Sequence, residues 1–187
     1  SSLDPRFTVR SILQEADLLS AVAGEKKGRE ERFIEALKSV GLGAECLQRF
    51  PHEFSGGERQ RIAIARALVM KPKLLILDEA VSSLDVLIQE QIIELLEELK
   101  GKYQLTYLFI SHDLNVVHHI SDRIGVMYLG KLVEVGPGDA VFEDPLHPYT
   151  QALRAAVPLP DPDMTRPERI KLQGEVPSPL NKPSGCP

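Results

Sequence analysis

The sequence predicts an α/β fold built on a parallel sheet, with a helical segment ahead of it and a proline-rich extension behind. Three observations carry that prediction. Leu74–Leu77 and Leu105–Ile110 are continuous aliphatic runs, the pattern of strands buried on both faces. Helix-period sequence over Glu58–Met70 and Val86–Lys100 alternates with those runs, as a βαβ arrangement requires. Ser1 to about Phe50 shows only helical periodicity, and after Val157 all periodicity stops.

In chain order, Ile12, Leu13, Ala16 and Leu19 form a first apolar stripe, and Phe33, Ile34, Leu37 and Val40 a second. Gly24–Arg29 reads as a charged linker between these helices, and Gly41 and Gly43 stop the second one. The Glu58–Met70 helix ends before Lys71-Pro72, because the residue ahead of a proline is driven out of the helical region. In Val86–Lys100, Ile88, Ile92, Leu95, Leu96 and Leu99 face inward and Glu90, Glu94, Glu97 and Glu98 outward, with Gly101 as the cap. A short helix is expected over Leu114–Ile120. Arg123–Tyr128 and Lys131–Val135 read as strands of a hairpin turning at Leu129-Gly130. Ala140–Phe142 and Tyr149–Ala156 read as short helices, and the proline-rich tail as extended.

The 187 residues are 43% hydrophobic and 26% charged, as in an ordinary globular chain with room for a core. A net charge of -5 argues against broad nucleic-acid binding, which needs a basic face. Cys46 and Cys186 read as free thiols of a reducing compartment. No apolar run approaches the roughly 20 residues needed to span a bilayer, and no signal peptide is visible. The sequence starts Ser1-Ser2 without Met, so a processed chain or a piece of a longer one is expected.

Four short segments carry chemistry. Ser55-Gly56-Gly57-Glu58 fits a capping box, in which Ser and the Glu three residues on satisfy each other's backbone donors. Two first-turn glycines cost about 1 kcal/mol each against Ala, and a plain cap does not need them. They also suit a site where phosphate meets bare N–H groups at a helix N-terminus. Asp78 closes the Leu74–Leu77 run at the carboxyl end of a strand, where open α/β sheets place ligands. It could hold Mg²⁺, and Glu79 could polarise an attacking water; acidic turn residues leaving a core strand would look the same. Asp85 and Asp113 both suit helix N-caps. His112 follows the second aliphatic run, on the same rim as Asp78 and Glu79, and His118 and His119 read as helix-surface residues.

Together these segments resemble a known family. Phe54-Ser-Gly-Gly-Glu-Arg-Gln60 is similar to the ABC signature, and Leu74–Glu79 to Walker B with its catalytic glutamate. Ser82-Ser-Leu-Asp85 resembles the D-loop, and His112 the switch histidine of the H-loop, all in family order and spacing. Ser1–Val9, His147-Pro-Tyr-Thr-Gln-Ala-Leu153 and the tail Gly174–Leu180 with Pro183–Pro187 resemble the oligopeptide/dipeptide importer branch. Glu58 stands where Gln is commoner and Ala80 where Pro is usual. No G-x-x-x-x-G-K-[S/T] occurs in these residues, and the Q-loop is missing too. The family tail usually carries further cysteines, some used for an iron–sulfur cluster; Cys186 by itself supports none.

The resemblance implies a partial P-loop NTPase core. Residues 1–53 would be the helical subdomain, 54–156 the C-terminal part of the ATPase core, and 157–187 the Pro-rich extension. It implies that Ser55, Gly56, Gly57 and Glu58 belong to the nucleotide site, with Asp85 linking two such sites. Asp78 would position Mg²⁺, Glu79 would be the general base, and His112 would contact the γ-phosphate of ATP. The implied partners are a second ATPase subunit, transmembrane permease subunits and, indirectly, a solute-binding protein, with no nucleic acid. The implied location is peripheral, at the cytoplasmic face of the cell membrane. The expectation is a piece of a subunit that does not hydrolyse ATP by itself. A DNA-repair ABC ATPase is the alternative within the family, yet Ser1–Glu53 shows neither heptads nor zinc-ligand spacing. A non-catalytic interaction module is the other alternative, and the signature disfavours a generic P-loop kinase or GTPase.

Overall fold

The computed structural model describes residues 3–19 and 28–157, which fall into two compact units, Ser1–Ile110 and Ser111–Pro187. The extension after Val157, with Cys186, and most of the Gly24–Arg29 linker lie outside the described residues.

The first unit opens with α1 (Val9–Leu18), whose Ile12, Leu13 and Ala16 are buried as the stripe predicts. Leu19 departs from it: α1 ends at Leu18, and Leu19, at the cap, is 78% exposed. The second helix, α2 (Arg29–Ser39), buries Phe33, Ala36 and Leu37, with Ile34 only half-buried. It begins at Arg29, so that residue is helical rather than linker. Arg29 and Arg32 both reach Asp17 of α1, at 2.8 and 2.7 Å, and Asp17 is completely buried. Arg10 and Glu30 form a second ion pair between the same helices. Burial works to raise the Asp17 pKa, but the bonds from Arg32 and Arg29 outweigh it and hold the carboxyl below its ordinary value. Gly41 ends this segment at φ 76°, a left-handed conformation that costs glycine nothing. Cys46, in the short 3-10 turn Ala44–Gln48, is buried, which pushes its thiol pKa up.

Next come α3 (Gly56–Val69), β1 (Leu74–Asp78), α4 (Val86–Tyr103) and β2 (Thr106–Ile110). The two strands pair in parallel, from Leu74 opposite Thr106 to Asp78 opposite Ile110, so β1-α4-β2 is a βαβ unit. Gly101 does not cap α4. The helix runs on to Tyr103, and Gln104 ends it at φ 53°.

The sheet corrects one expectation: its strands are buried on one face, not two. Leu75 and Leu77 are 8% and 5% exposed, whereas Leu74 and Ile76 are 53% and 59% exposed, with Leu108 and Ile110 also open. A run of leucine and isoleucine permits burial on both faces but does not supply the layers. The covered face meets α4, where the Tyr107 hydroxyl donates to the Leu96 carbonyl at 2.8 Å. Burial there pushes the Tyr107 phenol up to about 12.

The second unit holds α5 (Leu114–Ile120) and an antiparallel hairpin of β3 (Arg123–Tyr128) and β4 (Lys131–Pro137). Leu129 and Gly130 both take positive φ, the turn geometry that matches strand twist in a two-residue hairpin loop. After it come α6 (Gly138–Glu143) and α7 (Pro148–Ala156). Ile124, Val126 and Val141 form its core, with Val117, Val133, Tyr149 and Leu153 packed around them. The Glu134 carboxylate accepts the N–H groups of Leu146 and His147, and His147 Nδ1 accepts from Tyr149, so the His147-Pro-Tyr segment caps α7 and holds it to β4. His118 is not a simple surface residue. Its ring stacks on Phe142 at 4.1 Å and bonds Asp139 at 2.9 Å. Among the described residues no helix is long and apolar enough to cross a membrane.

Asp17→Asn is expected to cost about 3 kcal/mol at pH 7, because it removes the buried carboxylate charge that both guanidinium groups share. The folded pKa of Asp17 lies below its unfolded value, so its contribution is complete above about pH 4 and fades as pH falls through the folded value. Urea denaturation should show the gap between native chain and variant narrowing in acid. A gap that stays constant with pH would contradict this.

Candidate functional site

The segment leading into α3 is fixed from both sides. Phe54 is buried, and Ser55 is exposed at the helix N-cap in extended conformation. Ser55 Oγ accepts the Glu58 N–H at 3.2 Å, and the Ser55 N–H donates to Glu58 Oε2 at 2.8 Å. This is the predicted capping box. The Ser55 N–H, then its hydroxyl, holds the Glu58 carboxyl below its ordinary pKa. The first N–H groups of any helix lack intrahelical acceptors, and here they belong to the Gly56–Gly57 turn at the positive end of the helix dipole.

The two glycines have a packing reason as well. A Cβ on Gly57 would lie 2.6 Å from Ile88 Cγ2, and one on Gly56 would lie 3.3 Å from Leu84 Cδ2. The start of α3 therefore touches the turn before α4 and the first turn of α4. The sequence assigns the surplus glycines to ligand approach, and nothing in it points to packing against Leu84 and Ile88. Ser82-Ser-Leu-Asp85 thus adjoins the Ser55–Gly57 turn. Asp85 caps α4, its Oδ1 accepting the Ile88 N–H at 3.0 Å.

Asp78 and Glu79 stand exposed at the carboxyl end of β1. Glu79 takes φ 49°, a left-handed conformation that costs a side-chain-bearing residue roughly 1–2 kcal/mol. The conformation is held by two bonded neighbours. The Glu79 N–H donates to the Ile110 carbonyl at 3.0 Å, and the Glu79 carbonyl accepts from Ser82 Oγ at 3.1 Å. Sequence reading had no signal for this strain. A groove of about 370 Å³ runs between α3 and β1, with Gln60, Arg66, Asp78, Glu79 and Ser83 in its lining.

In the second unit, His112 is exposed in the turn ahead of α5. Asp113 caps that helix, its Oδ1 accepting the Asn115 N–H at 2.9 Å, and Ser111 Oγ accepts the Asp113 N–H. Within the first unit, then, the structure brings Ser55, Gly56, Gly57 and Glu58 against the Asp85 turn and sets Asp78 beside Glu79. His112 belongs to the other unit.

Among the described residues no group of three or more His, Cys, Asp or Glu could enclose a metal ion. Mg²⁺ does not require such a cage, since it keeps several waters and is bound through one or two carboxylates plus phosphate oxygens. An exposed Asp78 at a strand end fits that pattern.

Gly57→Ala is expected to destabilise the chain by about 2 kcal/mol, because its new methyl group overlaps Ile88. Adding Ile88→Ala removes the clashing methyl. A double-mutant cycle by urea denaturation should therefore show the pair less destabilised than the sum of the single variants. Strict additivity would show that the contact does not govern the turn.

Comparison with known proteins accords with this geometry. Residues 1–82 match the family described as "ABC transporter", and residues 133–187 match "Oligopeptide/dipeptide transporter, C-terminal region". The oligopeptide transport ATP-binding protein AppF of Bacillus subtilis is 54% identical over all of this chain and 56% of its own length. The dipeptide transport ATP-binding protein DppF of Escherichia coli is 52% identical over 99% of this chain and 55% of its own. The chain thus spans little more than half the length of these relatives. Among solved structures, a bacterial ABC transporter cassette in dimeric form is 28% identical with TM-score 0.61, covering 73% of this chain and 59% of that one. The cbiO1 protein of Clostridium perfringens, part of the ABC transporter complex cbiONQ, is 29% identical with TM-score 0.66, covering 76% and 55%. Family models for an ABC transporter and for the oligopeptide/dipeptide transporter C-terminal region thus match the two ends of the chain, and its relatives at about 50% identity over its whole length are oligopeptide and dipeptide transport ATP-binding proteins.

Proposed function

We propose that this chain is the C-terminal portion of an ATP-hydrolysing subunit that powers an importer of oligopeptides or dipeptides. The observation that carries this reading is the Ser55–Gly57 turn, a glycine-lined helix N-terminus packed against the Asp85 turn in the same unit as Asp78 and Glu79. The names of the relatives support the transported class.

In this reading Ser55, Gly56 and Gly57 bind the γ-phosphate of ATP held by a second ATPase subunit, and Glu58 keeps their turn in shape. Asp78 holds Mg²⁺, which supplies charge neutralisation to the phosphates. Glu79 accepts a proton from the attacking water, and His112 donates a hydrogen bond to the γ-phosphate. Asp85 joins the two sites across the subunit interface. Residues 1–53 meet transmembrane permease subunits at the cytoplasmic face of the membrane, and a solute-binding protein delivers cargo to those permeases. Nucleotide-dependent closure then shifts the population of membrane states. The acidic net charge supports no nucleic-acid partner.

The test is ATP-dependent association with an intact subunit of this branch. With Mg²⁺ and ATP the chain should bind that subunit, and Ser55→Arg should abolish binding even when measured below its own melting transition, which loss of the Ser55 cap lowers. By itself the chain should show no ATP turnover. Association that ignores ATP would favour a non-catalytic interaction module, and Mg²⁺-dependent turnover by the isolated chain would refute the half-site reading.

A further inference from the structure

We propose that Arg49 is a positioning residue for the Ser55–Gly57 turn, locking it to the first helix of the chain. The inference rests on the half-site reading above and adds to it a residue outside the signature itself.

Arg49 lies ahead of the Pro51–Glu53 3-10 turn and six positions before Ser55. Its guanidinium carbon sits 4.1 Å from the centroid of the Phe54 ring, a cation–π contact on the residue that immediately precedes Ser55. The same guanidinium donates to the Glu53 carbonyl through its terminal nitrogen, and its Nε lies 3.8 Å from the Glu53 carboxylate. The Glu53 carboxylate in turn accepts the Phe50 N–H at 2.6 Å. One side chain therefore holds both the ring and the backbone of the two residues entering the turn.

The Arg49 backbone reaches the other way. Its carbonyl accepts the N–H of Val9, the first residue of α1, at 3.0 Å, and its own N–H donates to the Cys46 carbonyl at 3.1 Å. A second arginine completes the hold from inside the signature helix, with Arg59 Nη1 donating to the Phe54 carbonyl at 2.7 Å. Arg59 moves with α3. Arg49 instead ties α3's entry to a different helix, so a displacement of α1 reaches the turn through Arg49 as well as through the direct packing of α1 on α3. Lysine would keep a cation over the Phe54 ring but lose the fork that binds the Glu53 carbonyl and carboxylate together.

The test compares native chain, Arg49→Ala and Arg49→Lys. ATP-dependent affinity for an intact subunit of the branch, with ATP and Mg²⁺ as the probe, is measured below the melting transition of all three. Hydrogen exchange of the Gly56 and Gly57 amides is measured on each chain by itself. Arg49→Ala should weaken the association about tenfold and speed exchange at both amides, and Arg49→Lys should recover part of each. Native-like affinity or native-like exchange in Arg49→Ala would overturn the proposal, as would a loss that only tracks the unfolded fraction. If even the native chain fails to associate, the half-site reading falls, and the exchange rates alone then decide whether Arg49 fixes the turn.

Discussion

The close approach of Gly57 to Ile88 is the contact on which the site depends. A methyl group in place of a hydrogen would sit 2.6 Å from Ile88 Cγ2, well inside contact distance. That approach brings the start of α3 against the start of α4. It places a glycine turn beside Leu84 and Asp85, while the βαβ connection sets Asp78 and Glu79 at the end of β1. The two helix starts adjoin because Gly56 and Gly57 carry no side chain, while the chain path of β1 brings Asp78 and Glu79 to the same unit.

Capping and ligand binding need not compete here. Ser55 and Glu58 satisfy each other, and Asp85 satisfies the Ile88 N–H, so each helix start is stable without a ligand. Such pre-organisation limits the ordering cost of binding phosphate. Glu79 is held in a left-handed conformation by hydrogen bonds to Ile110 and Ser82. Strain at an acidic residue beside a second carboxylate is the kind of feature that clusters at functional positions.

Much of this was legible in the sequence, for identifiable reasons. Helix stripes with clear period, such as Ile92, Leu95, Leu96 and Leu99, gave correct buried faces because one side of α4 packs and the other is glutamate-rich. The hairpin was readable from the two strand-like runs flanking Leu129-Gly130, where Gly130 takes one of the two positive-φ positions without strain and Leu129 takes the other against its preference. The parallel pairing of β1 and β2 was readable too, but the number of covered faces was not, because Leu74 and Ile76 look identical to Leu75 and Leu77 in a sequence. The end of α4 was misread because Gly101 is tolerated inside a helix when tertiary contacts continue beyond it, here the Tyr103 hydroxyl 2.6 Å from Ser39 Oγ. The Asp17–Arg29–Arg32 cluster and the hold of Arg49 on Phe54 were invisible, because long side chains meet across sequence gaps that periodicity does not encode.

The central claim is that the Ser55–Gly57 turn receives a phosphate presented by another subunit. The most direct measurement is the amide NMR spectrum of the isotope-labelled chain as an intact ATP·Mg²⁺-loaded subunit of the branch is added. The account predicts that the Gly56 and Gly57 amides shift most, with those of Asp85 and Ile88 moving alongside, and that none of these shifts appears when the added subunit carries no nucleotide. Shifts that spare Gly56 and Gly57, or that are identical without nucleotide, would contradict it.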